Sequence, residues 1–151
     1  MRKAPFRTSR TTGLNLLAAA PPPVMGEAMK RDMELVRLLL LRVEQGEVPA
    51  ALGSYPEEEI VYNSALMIEA GLIKGRTVYD VAVGQVTGTI MERLTWEGHD
   101  FLDAARNETV WNKAKEKVLK PGISWTFSIL LEYLKAEARA QMQKHGLLPP
   151  T

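Results

Sequence analysis

The amino-acid sequence predicts an α+β domain that is mainly α, with one β-hairpin set among helices. Three observations carry this. Apolar residues recur at three- and four-residue spacing from Met33 to Val43 and again from Phe127 to Ala138, the period of one helix face. Two β-branched segments, Thr77 to Val83 and Thr89 to Thr95, flank Gly84 and Gly88, as in a hairpin with a flexible tip. Gly46, Gly71 and the pair Pro121-Gly122 fall between these stretches and punctuate them.

Composition bounds the function. The chain has 151 residues, 25% of them charged, a formal net charge of +1 and no cysteine. Without cysteine there is no disulfide scaffold, no thiolate zinc site and no cysteine nucleophile. The run Leu38 to Leu41 is closed by Arg37 and Arg42, far short of the ~20 apolar residues that a membrane span needs. A total charge near zero lacks the basic excess of a general nucleic-acid binder. A cytoplasmic protein with no membrane contact is expected.

The first 28 residues differ from the rest. Met1 to Ala28 carry Arg2, Lys3, Arg7 and Arg10 against Glu27, a short apolar patch and the run Pro21-Pro22-Pro23. Proline withholds a backbone donor and forces its predecessor into extended geometry, so no regular element crosses that run. An organellar transit peptide and a secretory signal are alternatives, but Asn15 interrupts the short apolar patch. The reading adopted is an extension, with the domain beginning at Met29, running to residue 146 and followed by a tail over 147–151. The charge divides accordingly, +3 on the extension and −2 on the remainder (15 basic, 17 acidic).

Within the domain, Asp32 is placed to cap a first helix whose face holds Met33, Val36, Leu40 and Val43, and Gly46 ends it. Residues 49–54 are expected to form a loop or short strand. Ser54, three residues before Glu57, has the spacing of a capping box for a second helix that reaches about Ala70 and stops at Gly71. The hairpin follows. Thr95 can cap a helix bearing Phe101, Leu102 and Ala105, and a further helix from about Glu108 to Leu119 is anchored by Val110, Trp111, Ala114 and Val118. Trp96, Phe101 and Trp111 are expected to be core aromatics. Ser124 is expected to cap the last helix, which runs to about Lys144.

Helix, helix, Gly-Leu-Ile, hairpin, helix is the order of a winged-helix domain, here with additional C-terminal helices. Met29-Lys30-Arg31-Asp32-Met33, Glu69-Ala70-Gly71-Leu72-Ile73 and the stretch from Leu94-Thr95-Trp96-Glu97-Gly98 to Ala104, with Trp111, resemble the domain-of-unknown-function 2513 family. The resemblance runs from about Met29 to Lys120. It implies a small bacterial or phage protein with a winged-helix-like core, a natural start at Met29 and no established activity. Where the resemblance leads one to expect a histidine after Tyr62, this chain has Asn63.

In a winged helix the helix before the hairpin often enters the DNA major groove while the hairpin touches the backbone. The charge pattern opposes that use here. Residues 56–70 hold Glu57, Glu58, Glu59 and Glu69 and no lysine or arginine, whereas DNA affinity comes chiefly from cations that neutralise phosphates. The leading expectation is therefore a non-enzymatic interaction or regulatory module that binds a protein partner or a second copy. Its expected contact face lies on the last helix at Trp125, Phe127, Leu131, Tyr133 and Leu134, a stripe too broad to hide in one packing contact. An equally weighted reading makes that helix an interior one. The alternative function is a DNA-binding transcription regulator that uses Lys74, Arg76 and Arg93 of the wing with Tyr62, Asn63 and Ser64 of the preceding helix. His99 and Asp103 stand at i, i+4, but a metal site needs three or four ligands and the other histidine is His145. No phosphate loop, nucleophile elbow or dinucleotide fingerprint occurs, so no catalytic residue, metal, cofactor or small-molecule substrate is expected.

Overall fold

A computed structural model of the chain describes residues 29–149, so the expectations for the extension and for the last two residues lie outside the described residues. Helix α1 (Met33–Gln45) forms as its sequence predicts. The Asp32 carboxylate accepts from the amides of Glu34 and Leu35, and Gly46, at φ 77°, turns the chain out of the helix. Leu35, Val36, Leu39 and Leu40 are all buried, so α1 is covered on more than one side and forms the axis of the core.

Residues Ala50–Ser54 are a 3-10 helix that buries Leu52, rather than a loop or strand. Ser54 does not cap the next helix: its hydroxyl donates to the Ala51 carbonyl. Helix α2 (Glu57–Glu69) instead starts from Pro56, with no side-chain cap. Tyr55 and Pro56 are both extended, which leaves Ser54 two positions upstream of the true cap and out of reach. The first-turn charges of Glu57, Glu58 and Glu59 lie where the helix dipole favours them.

Gly71, at φ 79°, ends α2 and leads into strand β1 (Ile73–Asp80), which pairs antiparallel with β2 (Gln85–Leu94). The register sets Ile73 opposite Leu94, Arg76 opposite Ile90, Val78 opposite Gly88 and Asp80 opposite Gln85. Gly88 is thus a ladder residue, not part of the tip. The Asp80 carboxylate accepts from the amides of Ala82 and Val83, which closes the turn earlier than the glycine spacing suggests.

Helix α3 (Trp96–Ala105) starts at Thr95, whose hydroxyl accepts from the Gly98 amide, and α4 (Glu108–Lys117) is capped by Asn107. Helix α5 (Phe127–Lys144) is capped by Thr126, not Ser124. Around α1 pack Leu72, Ile73 and Leu94 from the hairpin base, Phe101, Leu102, Val110 and Trp111 from α3 and α4, and Leu130 and Leu134 from α5. Phe101 stands at the centre of an aromatic chain, edge-on to Trp111 at 6.3 Å and tilted against Phe127 at 5.1 Å. Trp96 departs from expectation. It is 78% exposed, because the inward stripe of α3 is Gly98, Phe101, Leu102 and Ala105. Trp96 lies about 200° around the helix axis from Gly98. Among the described residues no helix is long and apolar enough to cross a membrane.

Candidate functional site

The helix before the hairpin gives little to a contact surface. Asn63 and Ser64 are completely buried, and with Met67 they form the inward stripe of α2. The Asn63 side-chain oxygen accepts from the Asp32 amide at 2.8 Å, and its amide group donates to the Glu59 carbonyl at 3.0 Å. The Ser64 hydroxyl donates to the Ile60 carbonyl at 2.6 Å. Both residues are thereby removed as nucleic-acid contacts. Their polarity serves the interior, where Asn63 ties the residue that caps α1 to the body of α2. Tyr62 is half-buried, and the exposed positions of α2 include Glu57, Glu58 and Glu69. Asn63→Ala is expected to lower stability by about 1–3 kcal/mol, since it leaves the Asp32 amide unpaired. Urea unfolding measures this, and a midpoint unchanged from the parent chain would refute the structural role.

The hairpin brings the predicted cations together. Lys74, Arg76 and Val78 alternate onto one face of β1, and the register adds Arg93 opposite Lys74 and Ile90 opposite Arg76. Lys74 and Arg93 thus face each other as like charges, an arrangement that favours an anionic neighbour. Arg76 is held by Glu92 at 3.4 Å with both side chains more than half exposed, a pair of small energetic weight. Arg93 donates to the Leu94 carbonyl at 3.1 Å.

The same hairpin exposes apolar side chains that sequence reasoning did not single out. Val78, Tyr79 and Ile90 stand in the solvent, Val81 at the tip is 85% exposed, and Val83 follows it. Trp96 lies immediately beyond the hairpin base. One signal was present in the sequence: Val81-Ala82-Val83 is apolar at a turn, where polar residues are the rule.

The face predicted on the last helix is largely spent inside the molecule. Leu134 is fully buried and Phe127 packs on Phe101, so neither offers a partner surface. Leu131 and Tyr133 are half-buried against the same core. Trp125 is half-buried, with the Arg31 guanidinium 4.7 Å above its ring. The breadth of the apolar stripe reflects two layers of contact, with α4 and with α3, rather than an unsatisfied face.

Beside Trp125 opens a cleft of about 1010 Å³, lined by Lys30, Arg31, Glu34, Glu58, Lys115 and Trp125 among others. Within it Glu34 and Lys115 are matched to each other. The Trp111 indole donates to Glu34 at 2.7 Å, and the Lys115 ammonium lies 3.0 Å from the same oxygen. Burial acts to raise the Glu34 carboxyl, but the hydrogen bonds from Trp111 and Lys115 and the charges of Lys115 and Arg37 outweigh it. Together they hold the group below its ordinary range. Glu34 is a linchpin of packing between α1 and α4.

These observations define a small α+β domain with a projecting hairpin whose exposed surface is both cationic and apolar. Residues 30–124 match the family described as "Hypothetical protein (DUF2513)", and the chain belongs to that family. It is 35% identical over 96 residues to an uncharacterized protein of Haemophilus influenzae, a match that covers 60% of this chain and 79% of the relative. No solved structure matches the chain.

Proposed function

We propose that the chain is a non-enzymatic, winged-helix-like interaction module that engages its partner through the hairpin rather than through the helix before it or the last helix. The observation that carries this reading is the exposure of Val78, Tyr79, Val81, Val83 and Ile90, all on one hairpin. Exposed apolar side chains gathered on one element mark interaction sites, whereas scattered ones need no explanation. The order of α1, the 3-10 helix, α2, hairpin and α3 supports the winged-helix likeness.

The test is a comparison of binding by the full chain and by a Tyr79→Ser/Val81→Ser variant, whose substitutions are on the surface and leave the core intact. Partners retained by the parent chain, a second copy of the chain among them, should be lost by the variant. Equal retention by the two would refute the reading.

The shared face of Lys74, Arg76 and Arg93 favours a second reading, duplex DNA bound by the wing as in a transcription regulator. Under that reading the chain binds duplex DNA at low salt, binding falls steeply as salt rises, and Lys74→Glu/Arg93→Glu abolishes it. The acidic positions of α2 weigh against it.

A further inference from the structure

Among the described residues the sheet has two strands, so each strand has an unpaired edge. Such an edge is a row of free amides and carbonyls that readily adds another strand. The two edges of this hairpin are not equivalent. The register slips between Lys74 and Gly75 and again between Val78 and Tyr79, and at both places the extra residue (Glu92, then Thr87) belongs to β2. Bulges twist and interrupt the strand that carries them, so β2 is blunted as a template. Strand β1 carries none. Its outer half, Arg76 to Asp80, holds the β-favouring run Thr77-Val78-Tyr79, and those three residues are exposed.

That half of β1 is also complementary to itself. Arg76, Val78 and Asp80 lie on one face of the strand, two residues apart. In an antiparallel pair of two such strands about a two-fold axis at Val78, Val78 meets Val78 of the second copy. Each Arg76 then stands opposite Asp80 of the second copy, and Thr77 opposite Tyr79. Cross-strand pairs of opposite charge stabilise a sheet, and the symmetry makes the Arg76–Asp80 pair twice. A slip of one residue sets Arg76 against Tyr79 and loses both charge pairs. The Asp80 oxygen that closes the turn leaves the second carboxylate oxygen for this partner.

We infer that the partner of the hairpin is a second copy of this chain, joined edge to edge through β1 with the two-fold axis at Val78 to give one four-stranded antiparallel sheet. This rests on the reading of the hairpin as the interaction surface and names its occupant.

The chain has no cysteine, so a single introduced thiol reports on one contact without interference. With the full chain, light scattering should give a mass twice 16.8 kDa at high concentration. Val78→Cys should form a disulfide-linked dimer under mild oxidation, while Ile129→Cys on α5 should not. Arg76→Glu sets like charges opposite each other at two symmetric places and should weaken the dimer about tenfold or more. Glu92→Gln, which only frees Arg76 from its neighbour within the chain, should leave it intact. A chain that is monomeric at every concentration overturns the inference. So does a dimer that cross-links through Thr77→Cys or Ile129→Cys in preference to Val78→Cys. Loss of a different protein or of duplex DNA on hairpin substitution, in a chain that stays monomeric, overturns the inference while leaving the hairpin as the binding surface.

Discussion

Replacement of Arg37 by methionine is expected to destabilise the domain by about 2–5 kcal/mol, the cost of leaving two buried carbonyl acceptors without their charged donor. Arg37 interrupts an apolar run yet is only 6% exposed. Its Nε donates to the Ala105 carbonyl at 2.7 Å and one terminal nitrogen donates to the Arg106 carbonyl at 3.0 Å. Those are orphan carbonyls at the C-terminal end of α3, where a cation is favoured by the helix dipole. The guanidinium lies 5.6 Å from the Trp111 ring centre and 4.0 Å from Glu34. The two carbonyl bonds outweigh the Glu34 contact, which is at the limit of an ion pair. Methionine keeps most of the volume, so the loss measures polar groups left unpaired rather than a cavity. Denaturant unfolding should show a lower midpoint with an unchanged slope. A loss below about 1 kcal/mol would mean that water replaces the arginine at those carbonyls.

The same network has a pH signature. The folded Glu34 carboxyl lies below its ordinary value near 4.5. Its contribution is therefore complete above that value and is lost as pH falls through the lower folded value. Glu34→Gln should flatten this acid limb of the stability profile, read through the fluorescence of Trp111, whose indole donates to Glu34.

What the sequence discloses is what adjacent residues decide. Asp32, Thr95 and Gly46 act as caps where local pattern places them, because a cap needs only its own helix. Ser54 and Ser124 fail for one reason: each is followed two residues later by the residue that takes the cap, and the extended chain between is set by tertiary packing. The interior also holds polar groups that no periodicity reveals. Asn63 and Arg37 look like surface residues by type and are buried because backbone groups of other turns and helices need them, while buried Ser64 turns its hydroxyl back on the Ile60 carbonyl of its own helix. The converse holds for Trp96, whose composition suggests core and whose helix angle puts it in solvent. Lys74, Arg76 and Arg93 were legible as cations of a hairpin. Their common face depends on a register shifted at two bulges, which alternation alone does not supply.

Gly98→Ala sets two effects of opposite sign against each other and so tests the junction from which the hairpin is hung. In an exposed helix the change should stabilise by about 1 kcal/mol, the propensity gap between glycine and alanine. Here a Cβ at residue 98 would lie 2.0 Å from the Leu72 carbonyl oxygen and 3.0 Å from its carbon. The obstacle is backbone, and it is held in place. The Leu72 carbonyl accepts from the Thr95 amide at 3.0 Å, and the Thr95 hydroxyl donates to the Gly71 carbonyl. The methyl group can be seated only if α3 and the start of β1 move apart, which loosens the packing of Leu72, Ile73 and Leu94 in the core. A net loss of about 3 kcal/mol or more is expected, at the upper end of overpacking costs, and a melting temperature lower by on the order of 10 °C. Gly46→Ala is the control: nothing lies within 4 Å of its added Cβ, and only the left-handed backbone opposes it, at about 1–2 kcal/mol. If Gly98→Ala melts higher than the parent chain, α3 does not approach Leu72 closely. The hairpin is then held by its own strands and not by the helix that follows it.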